Sequence, residues 1–406
     1  MDPLEIMANI DRTFPFFQPV FSADEHTIMG YEILGRYQSE DGIISLGPFF
    51  LDEDIPDEYR LEVDNYILSE ALKKSLEENI DTWFFINRDA NLLMLDQGET
   101  LLELLLSFCA KGVKMEQVVL EISEKHFRGD FEQLFHLIHY YKTFGIKIAI
   151  DNIGGDSDQW ERLAKVSPDI LKVDLQHLRK EAGNTTFHNI LYSLSMLARK
   201  IGSTLLFENI ELDYQLHFAW KNGGRYYQGF YLHRPSGDFL KEDILREKLK
   251  TKCQDYIEHE KRHLKAVFNL TQLLQREINE QVNELRKHAG NLDSLLISLA
   301  KNVEDKFFRL YICDANGFQL TDNLVRKMNK WETHPQFKGK NWSWRPYFLE
   351  NIMRMQNKNS GLLSDSYSDI ETGETIRTFS YPLGEDQYLF MDLSYEFLYE
   401  QDGILY

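Results

Sequence analysis

The sequence predicts an α/β chain: a TIM-like (β/α)8 barrel over residues 1–245, a linker helix over 246–290 and a smaller α+β domain over 291–406. Short β-rich runs alternate with longer amphipathic stretches as far as residue 235, the period switches to helical after 238, and polar residues recur at the ends of the β-rich runs. The runs are 16–22, 27–37, 83–87, 118–123, 146–153, 169–175, 203–210 and 225–232. The helical stretches between them include 60–78, 98–111, 130–143, 184–201 and 211–222. Near-continuous Val, Ile, Leu and Phe runs suit buried parallel strands, whereas half-exposed antiparallel strands would alternate strictly. Eight such runs match the size and rhythm of an eight-stranded barrel. An open doubly wound sheet is the competing architecture, and no glycine-rich phosphate loop follows the first strand to favour it.

Residues 238–290 contain no proline and one glycine, Gly290, which predicts a long helix stopping there. Ile257, Leu264, Ile278 and Leu285 lie multiples of seven apart, Val267 and Leu274 are offset from them, and Thr271 breaks the series. Such an imperfect heptad seam suits packing on a partner, so a homodimer through barrel and helix is expected. Beyond it the sequence predicts a helix near 292–303, a strand at 307–314, an Asn-Gly turn at 316–317, a Trp-rich stretch at 341–348 leading into a helix, and strands at 375–383 and 386–394. Trp344 and Arg345 suit either a small-ligand pocket or the core of a small sheet domain.

Charge limits the partners. Lys+Arg 45 against Asp+Glu 65 leaves a formal net charge of −20, so no broad basic surface draws the chain to DNA or an anionic membrane. No run of about 18 uncharged apolar residues offers a membrane span, and the N-terminus lacks the basic start and apolar core of a signal peptide. The 3 cysteines are scattered and match no metal-ligand spacing, so a reducing, cytoplasmic setting is expected. His259 and His263 frame a His-Glu-Lys-Arg-His string resembling a zinc-protease motif, but it lies on a highly charged helix and reads as solvated surface.

Each apolar run ends in, or is followed by, a polar residue: Glu32, Asn87, Glu121, Asp151, Lys172, Glu208 and Gln228. In a barrel of this type the C-terminal strand ends face one mouth, where active sites are built. Charges set against buried strands cost several kcal/mol unless paired or metal-bound, so convergence of these seven asks for a cation. Glu32, Glu121, Asp151 and the Asn87 carbonyl form an all-oxygen set that suits Mg²⁺, Mn²⁺ or Ca²⁺ rather than zinc.

The ordered motifs Glu32-Ile33-Leu34-Gly35-Arg36, Ile86-Asn87, Glu121-Ile122-Ser123-Glu124, Asp151-Asn152-Ile153-Gly154-Gly155, Leu171-Lys172-Val173-Asp174, Glu208-Asn209-Ile210-Glu211 and Gln228-Gly229-Phe230 resemble the EAL domain over roughly residues 10–245. That resemblance implies a barrel that binds cyclic di-GMP, whose active members hydrolyse it to linear pGpG with two divalent cations, Mg²⁺ or Mn²⁺, Ca²⁺ being a non-productive substitute. It places Glu32, Asn87, Glu121 and Asp151 on the first metal, with Asp151 bridging to a second that Glu208 also holds. It assigns catalysis to Lys172, Glu208 and Glu32, with Lys172 orienting the attacking water. Arg36 would clamp a phosphate, with Gln18, Leu34, Gln228 and Asp174 lining the substrate, and Glu124, Asn152 and Glu211 would stabilise loops. A metal pair supplies the activated water and counter-charge that phosphodiester hydrolysis needs.

One departure stands out. Active members carry a second aspartate where this chain has Asn152, and exchanging an anionic ligand for a neutral amide weakens divalent binding. Retained nucleotide and single-cation binding with weak or absent hydrolysis is therefore expected, with an efficient phosphodiesterase as the alternative. A barrel hydrolase for another phosphoester is a third reading. The C-terminal region resembles PAS/Cache-like sensor folds at scattered positions, with Tyr367 and Asp369 falling where such domains place pocket residues around an unknown ligand.

Overall fold

The computed structural model describes residues 2–123, 127–151, 165–176, 185–345 and 348–401. The chain divides into two compact units, Met1–Gln254 and Asp255–Tyr406. In the first, nine strands are β1 (Thr13–Ser22), β2 (Ile28–Ser39), β3 (Gly42–Ser45), β4 (Trp83–Asp89), β5 (Val118–Ser123), β6 (Lys147–Ile150), β7 (Ile170–Asp174), β8 (Thr204–Glu208) and β9 (Gly224–Tyr227). They follow the order β1-β9-β8-β7-β6-β5-β4-β2-β3, and β1 also pairs with β2. That second pairing closes an eight-stranded barrel, with β3 a hairpin annex on β2. Amphipathic helices such as Asp57–Glu77, Phe131–Thr143 and Thr185–Ile201 lie between strands.

The prediction of parallel strands throughout needs one correction. β1 runs antiparallel to both β2 and β9, while β2, β4 and the strands through β9 pair in parallel. The short connection at 23–27 has room for a hairpin but not for the crossover helix a parallel neighbour requires.

Inside the barrel, Val20, Phe85, Val119, Ala149, Ile170, Leu206 and Tyr226 pack into one apolar layer. Strand residues alternate sides with a period of two, so the next inward position on each parallel strand is two residues further on. Those positions are Asn87, Glu121, Asp151, Lys172, Glu208 and Gln228, joined by Glu32 two beyond Gly30. On the reversed β1 the equivalent residue is Gln18, two before Val20, and it pairs directly with Glu32. The apolar layer closes the barrel from below, and the polar layer forms the floor of its mouth.

In the second unit, the lower part of the helix Arg246–Leu285 and the helix Leu292–Asn302 cover one face of an antiparallel sheet. Its strands are β10 (Phe307–Asp314), β11 (Asn323–Lys327), β12 (Lys330–His334), β13 (Leu362–Leu363), β16 (Thr378–Gly384) and β17 (Gln387–Leu393), in the order β12-β11-β10-β17-β16-β13. A separate two-strand ribbon joins β14 (Tyr367–Ser368) to β15 (Thr375–Ile376). The strand expected over 375–383 is thus split at Arg377. The long helix ends at Leu285 rather than at Gly290, and Asn291 instead caps the next helix by accepting the Ser294 amide at 2.8 Å. Leu270, Leu274, Ile278 and Val282 of the long helix are buried in this unit's own core, whereas Leu264 is exposed. Much of the apolar seam is therefore covered by the unit's own sheet.

Candidate active site at the barrel mouth

The polar floor is organised by one cation. Lys172, only 2% exposed, places its ammonium 2.8 Å from Glu121, 3.1 Å from Glu208 and 3.3 Å from Glu32. Glu32 is fixed further by Asn87, which donates Nδ2 to Oε1 at 2.7 Å, and by Gln228, which donates Nε2 to Oε2 at 2.6 Å. Glu121 and Gln228 are buried, Glu208 is half-buried and Asn87 is exposed at the opening. Six of the seven residues singled out by the sequence therefore touch one another. The seventh, Asp151, follows β6 directly and acts electrostatically on both Lys172 and Glu208.

The electrostatics show an excess of negative charge. Burial disfavours the Lys172 ammonium, but Glu121, Glu208 and Glu32 outweigh it and hold its pKa well above the usual lysine range. Burial likewise opposes ionisation of Glu32, yet Lys172, Asn87 and Gln228 keep its carboxyl below its ordinary value. Glu121 goes the other way: burial and the neighbouring Glu32 push it well up despite Lys172. Glu208 is raised to about 7 by burial, against the pull of Lys172 and with the repulsion of Asp151 and Glu32. One ammonium does not balance these acids.

The set suits a hard divalent cation. Its donors are carboxylate and amide oxygens, and Glu121 Oε1 is buried without a hydrogen-bond partner. Among the described residues no group of three or more His, Cys, Asp or Glu side chains is arranged to hold a metal as it stands. The geometry accounts for this, because Lys172 stands between the carboxylates.

The remaining candidates lie around this centre. Gln18 is buried opposite Glu32 and donates to the His233 carbonyl at 2.8 Å. Leu34 and Arg36 follow Glu32 on the same face of β2, toward the rim. The Arg36 guanidinium lies 5.1 Å from the Phe16 ring and donates to the Gly35 carbonyl at 2.9 Å. Phe16 is beyond the reach of motif reading, but alternation along β1 finds it, since it pairs with Leu34 two residues from Gln18. Asp174 departs from the cluster: it accepts the Gln176 amide at 2.6 Å and so caps the turn after β7. The Glu211 amide donates to Gln215 Oε1 at 2.8 Å, tying the loop after β8 to the helix Asp213–Lys221. Gly229 holds φ at +151, and a Cβ there would lie 2.2 Å from the Ile210 carbonyl oxygen, so only glycine lets the Gln228 backbone pair with Ile210. Glu124 and Asn152 lie outside the described residues.

Residues 4–235 match the EAL domain model. This chain belongs to the EAL domain family. Residues 239–405 match a model described as an EAL-domain associated signalling protein domain, a description that names neither PAS nor Cache. Over 406 residues, the whole of both chains, this EAL protein is 51% identical to the EAL-domain containing protein YkuI of Bacillus subtilis (strain 168). A crystal structure of B. subtilis YkuI in complex with substrate c-di-GMP and calcium superposes with a TM-score of 0.95 at 51% identity, covering 100% of each chain. The probable cyclic di-GMP phosphodiesterase PdeA of Escherichia coli is 26% identical over 217 residues, 51% of this chain and 28% of that protein.

A cavity of about 650 Å³ opens at the opposite end of the barrel, between Trp83, Tyr226, Asp24 and Asp81. An exposed Arg225–Asp24 ion pair lines that cavity, whereas the buried Lys172 cluster lies at the mouth. No helix of the described residues is long and apolar enough to cross a membrane.

Proposed function

We propose that this EAL protein is a cyclic di-GMP signalling protein that binds the dinucleotide with a divalent cation at the barrel mouth and hydrolyses it slowly or not at all. The observation that carries the reading is the buried, over-anionic floor of Glu32, Glu121 and Glu208, which asks for more positive charge than Lys172 supplies. The YkuI complex with c-di-GMP and calcium supports the choice of ligand. Glu32, Asn87, Glu121 and Asp151 would hold the first cation, and Glu208 with Asp151 a second. When bound, such ions polarise a phosphoryl oxygen and activate water.

The chain's own residues do the rest. Gln228 and Asn87 orient Glu32 through their amides. Lys172 supplies a positive charge close to the reacting phosphodiester, and its three contacts hold the carboxylates in place. Arg36 meets a phosphate at the rim, where no carboxylate pairs with it among the described residues. Phe16 and Leu34 give that rim an apolar wall.

Slow turnover rests on Asn152, whose neutral amide replaces the acid that active members place after the residue equivalent to Asp151. A second reading, an efficient phosphodiesterase regulated by the C-terminal unit, is favoured by the survival of all seven other polar residues of the floor. Calorimetry with cyclic di-GMP, followed by assay of pGpG release with Mg²⁺ or Mn²⁺ for wild type and Asn152→Asp, decides between them. Binding with little turnover, accelerated by Asn152→Asp, is the expected outcome. Rapid turnover that the substitution leaves unimproved removes the receptor reading. No binding of the dinucleotide favours a hydrolase for another phosphoester. A homodimer, a ligand of the C-terminal unit and a cytoplasmic setting belong to the same proposal.

A further inference from the structure

We infer that Lys172 is a built-in counter-cation that competes with the divalent ion for the same carboxylates, so that metal binding at this mouth is an exchange of one cation for another. The inference rests on the proposed function of the site and concerns what happens there before any nucleotide arrives. Its basis is geometric. The ammonium reaches three carboxylates at 2.8, 3.1 and 3.3 Å, so it lies where their negative fields overlap. At 2% exposure it has almost no water to replace them. Two of the three, Glu32 and Glu121, are the acids that the proposed first metal requires.

A lysine suits this role because its charge is compact and its stem flexible. It can give up one carboxylate while keeping another, which a bidentate arginine would do poorly. Leaving a buried acid uncompensated is costly, so a mouth without either cation is the unfavourable state. With Lys172 present, the acids keep a partial counter-charge while metal is scarce, and the ion must displace an ammonium to enter. Lys172 thereby sets the divalent concentration at which the site loads, in addition to any part it plays once substrate is bound.

The experiment uses the full chain, wild type and Lys172→Met, with Ca²⁺ affinity read by calorimetry without nucleotide and thermal unfolding read in chelator and in excess Ca²⁺. The variant is expected to bind Ca²⁺ at least ~10-fold more tightly, because a unit charge a few ångströms from the ion has been removed. It should also melt lower than wild type in chelator and gain more from Ca²⁺. Equal or weaker Ca²⁺ binding by Lys172→Met, with wild-type binding intact, overturns the inference and leaves the site reading standing. If neither protein binds Ca²⁺ or Mn²⁺, the site reading falls, and the inference with it. Should Lys172→Met fail to fold even in Ca²⁺, Lys172→Met/Glu121→Gln, which removes one charge of each sign, is compared with Glu121→Gln in chelator. Counter-charge predicts that the double variant, with one acid fewer to compensate, folds but melts below Glu121→Gln because Glu32 and Glu208 have lost their ammonium; failure to fold, or equal melting, overturns the proposal.

Discussion

Arg309 in the C-terminal unit and Lys172 in the barrel both sit inside the protein among carboxylates, yet the two arrangements differ in kind. Arg309 uses both terminal nitrogens: Nη1 meets Asp369 at 2.9 Å and Asp392 at 3.0 Å, and Nη2 meets Asp369 at 2.8 Å and Glu371 at 3.3 Å. The carboxylates are closed from the other side, Asp369 by Thr372 and Asp392 by the Thr378 hydroxyl at 2.6 Å. Tyr367 extends the network by its 2.6 Å contact with Thr378, so Tyr367 and Asp369, the two pocket candidates expected from the sequence, are both tied into it. At the barrel mouth, by contrast, a single point charge faces three carboxylates, and Glu121 keeps an oxygen without a partner. A planar fork that grips its acids at two points makes a structural joint, whereas a lysine point charge beside an unpartnered carboxylate oxygen makes a site that can accept another cation.

The largest effect expected from breaking this contrast is at Arg309. Arg309→Met strands Asp369 and Asp392 in the interior and should cost about 3–5 kcal/mol of stability, the usual range when one partner of a buried ion pair is removed. Chemical unfolding in chelator and in Ca²⁺ checks it: the loss should be the same in both, and rescue by Ca²⁺ would erase the distinction between the clusters. Asn87→Ala comes next. It removes a candidate ligand and one of the two amides that hold Glu32, so divalent affinity should fall ~10–100-fold by calorimetry with global stability little changed. An unaltered affinity would take Asn87 out of the site.

Acidity acts with opposite sign on one acid of each cluster, Asp369 and Glu208. The Asp369 carboxyl, pushed up by burial but held down by Arg309, lies below its ordinary value. Its stabilising contribution is present above the unfolded aspartate pKa and is lost as pH falls through the folded value. Glu208 is raised by burial to about 7, so its contribution is complete below the unfolded glutamate pKa and is lost as pH climbs through about 7. In thermal melts of metal-free protein from pH 3 to pH 8, the Asp369 contribution to the C-terminal unit should be lost at the acid end and the Glu208 contribution to the barrel toward neutrality. Added Ca²⁺ should offset only the barrel's loss. The smallest effect is expected at the exposed pair of Lys114 and Asp81, 2.9 Å apart. Lys114→Ala should shift stability by less than about 1 kcal/mol, because water already screens that pair.

Much of the site could be read before any coordinates because it is encoded with a period of two. Phe85 and Asn87, Val119 and Glu121, Ile170 and Lys172, Leu206 and Glu208 each put an apolar residue and then a polar one on the same side of a strand, and alternation fixes that side locally. The reversal of β1 was not legible, since an apolar run carries no direction and Gln18 joins the floor only because the chain turns back at 23–27. The seam of the long helix was legible as a covered face but not in its covering. Leu274 and Ile278 record that something apolar packs there, and only the fold shows it to be the unit's own sheet.

The sequence by itself determined the barrel, the family and the kinds of residue at the mouth, because hydrophobic period and residue chemistry are local properties of a chain. Distances are not. Residues 32, 121, 172 and 208 come from four strands, and whether their charges merely share a rim or lock around one ammonium depends on how the closed sheet staggers those strands. That choice, between a ring of separate acids and one buried cluster held by Lys172, belonged to the tertiary structure, because Coulomb energy depends on separation and on the exclusion of water.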